Sequence, residues 1–103
     1  MIVPWKDKAH RPRTFASALK QMMNIEGYSI TNRTIVIAAG VDHMTVKDWL
    51  DGRCFPTENE LRDLCGAFLL IKYSRIFVRE RNQLQTIFQD IIEHDKKMRG
   101  RRG

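Results

Sequence analysis

The stretch Asn32 to Pro56, NRTIVIAAGVDHMTVKDWLDGRCFP, constrains the fold of this chain more than any other part. One apolar-periodic segment closes at Gly40, and a second opens almost at once and leaves through Gly52-Arg53-Cys54-Phe55-Pro56. Two helices joined so tightly must cross at a steep angle. The turn needs a left-handed residue, a conformation glycine adopts at no steric cost. Ile35, Val36 and Ala39 on the first helix, Val41 at the turn, and Val46 and Trp49 on the second can supply the small core that both share. Val46 and Trp49 lie three apart and so occupy one face. The opposite face then carries His43, Met44, Lys47, Asp48 and Asp51.

A chain of 103 residues with 43% hydrophobic side chains is long enough for one domain with a modest core. No apolar run approaches the roughly 20 residues that span a bilayer. The opening MIVPWKDKAHRPR has no apolar segment of the kind a signal peptide needs. Cys54 and Cys65 have no histidines at zinc-binding spacing, and they read as reduced thiols of a cytoplasmic protein. His10, His43 and His94 have no ligand spacing either, so no metal and no cofactor is expected. There is no glycine-rich phosphate loop, nucleophile elbow or catalytic triad. Glu93 and Asp95 flank His94 around a helix cylinder rather than on one face. An enzyme is not expected.

The charge is concentrated at the ends. Residues 1–13 carry +3, from Lys6, Lys8, Arg11 and Arg13 against Asp7. Residues 96–103 carry +5, and the 82 residues between them carry −2. Such tails suit a polyanion whose phosphates they neutralise, and they also keep a small protein in solution. Neither has the apolar face that anchoring to a membrane surface needs.

Five helices are expected. Residues 1–13, with Pro4 and Pro12, read as a basic arm. Trp5 in that arm can pack on the domain or lie along a bound partner with Lys6 and Lys8. A first helix runs from about Thr14 to about Asn24 on Phe15, Leu19, Met22 and Met23, and Gly27 marks its end. A second runs from Asn32 to Ala39, capped by Ser29 or Thr31. A third runs from His43 to Asp51, with Asp42 as the expected N-cap. Thr57 and Glu60 form a capping box for a fourth, whose Leu61, Leu64, Cys65 and Phe68 follow helical spacing. The β-formers of 69–78, LLIKYSRIFV, leave room for a short strand or for the first turn of a fifth helix. That fifth helix is expected over about Ser74 to Met98.

The central stretch resembles the lambda-repressor-like, or Xre-type, helix-turn-helix family of transcriptional regulators. The resemblance rests on Gly40-Val41 after the first motif helix, Val46 six positions past the glycine, and Trp49 three later. The Gly52 to Pro56 exit, the amphipathic run Leu61 to Leu69 and the upstream helix Phe15 to Met23 complete it. It covers about residues 14–70 and departs at Val36, where the family has a small alanine, and at Ile37, where it exposes a polar side chain. The resemblance implies an all-α helix-turn-helix domain over 14–72. Beyond residue 72 the family gives no guidance, and the residues themselves read as a long C-terminal helix over 73–98, the fifth helix of the fold, and a basic tail over 99–103. The resemblance also implies double-stranded DNA as partner and a cytoplasmic, nucleoid-associated location, with a phage or other mobile element as a fitting source. His43, Met44, Thr45 and Lys47 are then the expected base readers, and Lys47 suits guanine. Asp48 would accept from a cytosine amino group or face solvent. Arg33 and Arg53 are expected on phosphates, and Arg11 or Arg13 in a narrow minor groove.

The fifth helix repeats Phe77, Leu84, Ile91 and Met98 every seven residues, with Ile87 and Phe88 between. This reads as a dimer seam of Phe77, Leu84, Ile87, Phe88 and Ile91, or as a stripe folded back on the body. A C2 dimer would read an inverted repeat with half-sites about 34 Å apart. Repression is the expected sign. Two rival expectations stand beside it. One is an antitoxin-like protein that binds a partner through the long helix. The other is an architectural binder that uses its tails without sequence preference.

Overall fold

The computed structural model describes residues 3–24 and 29–100. A 3-10 turn, Lys8–His10, precedes five helices: α1 Phe15–Met23, α2 Asn32–Ala39, α3 His43–Leu50, α4 Glu58–Tyr73 and α5 Val78–Gly100. The described residues form no strand; residues 69–73 of the possible strand are the last turns of α4, 74–77 link the helices, and of the alternative first turn of the fifth helix only Val78 belongs to α5. None of these helices is long and apolar enough to cross a membrane.

Local chemistry sets the helix ends. The Thr14 hydroxyl accepts from the Ser17 N–H at 3.1 Å and starts α1. Thr31, rather than Ser29, caps α2 by accepting from the Thr34 N–H at 3.3 Å. Thr57 and Glu60 form both bonds of the expected box: Thr57 N–H donates to Glu60 at 2.8 Å, and Glu60 N–H to Thr57 at 3.2 Å. Helix α1 closes at Asn24, whose N–H donates to Gln21, and Gly27 lies outside the described residues. Helix α4 closes at Ser74, a left-handed residue with φ 61°.

Helix α4 is central and packs against α2 and α5, while α1 packs against α3 and α5. An aromatic cluster joins these layers. Phe88 of α5 meets Phe15 of α1 edge-on at 5.8 Å, stacks on Phe68 of α4 at 6.4 Å, and meets Trp5 edge-on at 6.3 Å. At about 1.5 Å per residue the 23 residues of α5 run about 34 Å. That is most of the molecule's 42 Å long dimension. The long helix is therefore a wall of the core.

This corrects the dimer seam. Leu84 and Phe88 are fully buried in the protomer, and Ile87 and Ile91 nearly so. Their apolar face is already covered by α1 and α4, so none of the four is free for a second chain. Phe77 alone of the five lies on the surface, before the first turn of α5. Of the two expectations for Trp5, packing on the domain holds: it is buried, and its indole N–H donates to Gln21 at 2.6 Å.

Candidate nucleic-acid interface

Helix α3 sits on the molecule through two side chains. Val46 and Trp49 are fully buried, and Trp49 meets Phe15 of α1 edge-on at 6.3 Å. The turn into α3 is made by Gly40 at φ 69°, with nothing near the position of a Cβ. The glycine is there for its backbone conformation and not for space. This mounting turns His43, Met44 and Lys47 to solvent and leaves Thr45 and Asp48 half-buried.

Asp42 stands at the N-cap position, but its carboxylate makes no bond to the helix, contrary to the expected cap. Asp48 lies 3.9 Å from Arg53, whose side chain is otherwise open to water. An Asp48 that served a cytosine would have to share that pair. Arg33 is exposed in the first turn of α2. Ile37 of α2 is 72% exposed, and among the helices α2 packs only against α3 and α4.

Basic residues from the start of the chain and from the last described turns of α5 come together, which their sequence distance conceals. Lys8, Arg11 and Arg13 from the 3-10 region border a 250 Å³ groove against Asp90, Ile91 and His94 of α5. The groove continues as an open 670 Å³ trough in which Lys8, Lys96 and Lys97 face Asp90 and Glu93. Arg11 is not a free minor-groove reader, because it is held 3.7 Å from Asp90 and is mostly covered. Arg13 remains exposed.

The last turns of α5 are fastened to the exit of α3, a connection absent from the sequence reading. Asp95, only 2% exposed, accepts from the backbone N–H of Phe15 at 3.0 Å and from Arg99 at 2.9 Å. Arg99 in turn donates to the Gly52 carbonyl at 2.7 Å and lies 4.8 Å over the Phe55 ring. Lys96 lies 5.3 Å from the same ring. Cations are thereby held beside the end of α3, on a frame of buried groups. The signal for Asp95 was present, since it falls seven residues after Phe88, on the apolar stripe itself.

The cysteines differ in access. Burial pushes the Cys65 thiol up to about 12, against a smaller opposing pull from Arg81. Cys54 is exposed, and its thiol is raised by partial burial, then by Asp48 and Glu60. Alkylation at mildly alkaline pH is therefore expected to modify Cys54 alone in the native protein, and Cys65 only after denaturation. Peptide mass mapping reads this, and native labelling of Cys65 would contradict the packing of α4. The sign for stability follows from the same shift. Between the ordinary thiol range, near 9, and about 12, unfolding releases the Cys65 proton. That contribution to stability is complete below the range and is lost as pH rises through it.

No protein-family model, curated protein or solved structure matches this chain.

Proposed function

We propose that the protein is a sequence-specific, double-stranded DNA-binding regulator of transcription, of the helix-turn-helix kind that its sequence resembles. The observation that carries this reading is the mounting of α3. Val46 and Trp49 fix one face, and His43, Met44 and Lys47 stand out on the other. Thr45, half-buried, completes the reading set. Arg33 and Arg53, exposed on either side of α3 in the sequence, would hold phosphates, and the fastened end of α5 adds Lys96 and Lys97. Helix α3 would enter the major groove, and occupancy of a promoter would repress without a cofactor. Each protomer would read one half-site. Two copies on an inverted repeat would be brought together by the DNA rather than by α5.

Fluorescence anisotropy with the DNA upstream of the protein's own gene, against a scrambled duplex, tests this. The paired substitution Thr45→Ala, Lys47→Ala is expected to weaken specific binding about ten- to hundredfold, the range for loss of a good base contact. It should leave binding to scrambled DNA nearly unchanged. Equal loss on both duplexes would sink the assignment of α3 as the reader.

Two adjoining grooves share Lys8; Arg13 borders one and Lys96 and Lys97 the other, beside Asp90 and Glu93, and this excess of cations favours a second reading, an architectural binder without sequence preference. Its mark would be a steep dependence on salt together with equal affinity for both duplexes.

A further inference from the structure

Eight large hydrophobic side chains are exposed among the described residues, and five of them, Leu70, Tyr73, Ile76, Phe77 and Val78, fall at the corner where α4 passes into α5. Apolar side chains clustered in this way are where protein contacts are sought. The corner is also ordered by its own contacts. Tyr73 and Phe77 meet edge-on at 5.8 Å, Arg75 lies 4.8 Å over Phe77, and Lys72 lies 5.6 Å from the Tyr73 ring.

Beside it is a 110 Å³ groove lined by the small residues Ala38, Ala39, Gly66 and Ala67, by Leu70, Ile76 and Arg81, and by Arg62 and Asp63, which pair with each other at 3.9 Å and cancel in charge. Arg81 is half-buried, and its Nε is sealed from water with no acceptor. A buried donor left without a partner is costly, and a carboxylate is the strongest acceptor for a guanidinium. Among the described residues, none of Lys72, Arg75, Arg79 and Arg81 has a carboxylate within ion-pair distance. With Glu80 as the only acid in 70–81, the corner carries +3.

We propose that the α4–α5 corner docks an acidic, amphipathic segment of a partner protein. Its apolar side chains would lie on Ile76, Phe77 and Val78, and one carboxylate would enter the groove to meet Arg81. Charge selects this occupant. A second copy of the chain would set +3 against +3 within about one Debye length of roughly 8–10 Å. A lipid surface would meet the exposed Arg75 and Arg79 but would not reach the recessed Arg81, whose buried Nε calls for an acceptor on a protruding side chain. The inference is independent of DNA binding.

The test is selection from a phage-displayed library of random peptides against the intact protein, with anionic vesicles of phosphatidylserine and sedimentation equilibrium run alongside. Enriched peptides are expected to place Asp or Glu among apolar residues at helical spacing. Their affinity should fall about tenfold or more, as for a central contact residue, in Phe77→Ser and in Arg81→Gln. It should be retained in Met44→Ser on α3, and Arg81→Lys should recover part of the loss. Phe77 is on the surface, so its variant stays folded even if the Arg81 variants do not. The proposal is overturned by four results: no enrichment; peptides without acidic residues; binding that ignores Phe77→Ser; or a self-associated state or vesicle adsorption that Phe77→Ser abolishes.

Discussion

Phe88→Ala is expected to lower the free energy of unfolding by about 3–5 kcal/mol, the usual cost of removing a buried phenyl ring. Phe88 has no exposed surface and holds Trp5, Phe15 and Phe68 around it. The vacated space is bounded by three rigid rings from separate parts of the chain, which cannot close over it together. Domains of this size are stable by only about 5–15 kcal/mol, so the loss would remove from about a fifth to nearly all of the total. Urea unfolding measures it. The midpoint should not depend on protein concentration, because the ring is packed within one protomer. A concentration-dependent midpoint, or a loss under about 1 kcal/mol, would return Phe88 to the intermolecular seam that its heptad spacing suggests.

Asp95→Ala is expected to cost about 2–3 kcal/mol, from an N–H left unpaired in the interior and a broken charge-assisted bond. The Phe15 N–H is the first of α1 and has Asp95 as its acceptor. Arg99 contributes less, since its side chain is 42% exposed and can return to water. Arg99→Ala is accordingly expected to cost about 1 kcal/mol. The double substitution should cost less than the two together, because both remove the same bond. Asp95→Asn, which keeps an acceptor for Phe15, should fall between wild type and Asp95→Ala. A loss for Asp95→Ala no larger than for Arg99→Ala would mean that the bond to Phe15 contributes little.

The features legible in the sequence are those set within a few residues. The Thr57–Glu60 box, the left-handed Gly40 and the opposition of Val46 and Trp49 to Lys47 all follow from one turn of helix. They position the exposed face of α3 without reference to the rest of the fold. The seven-residue spacing on α5 established that an apolar face exists, but periodicity carries no information on what covers it. Here α1 and α4 do, with Trp5 closing the edge. The arm illustrates the same limit. Its prolines and charges are local, whereas the bond from Trp5 to Gln21 joins residues 16 apart. Asp42 has the residue type and backbone of a cap, yet its side chain turns elsewhere, a choice that composition cannot reveal. The β-formers near residue 70 were drawn into helix because Leu64, Phe68 and Leu69 are all buried on α4, and the helix closes only at the left-handed Ser74.

The bond between Phe15 and Asp95 spans 80 residues of chain. On a ribosome adding about 5–20 residues each second, α1 emerges roughly 4–16 s before the carboxylate that completes its first turn. Through that interval the helix has only Thr14 to hold its start, and the sites for Phe88 on Phe15 and Phe68 stand open. The first helix to be made can pack early on α3 through Phe15 and Trp49, but its first turn is completed only when α5 arrives. Substitutions at Asp95 should accordingly speed unfolding more than they slow folding.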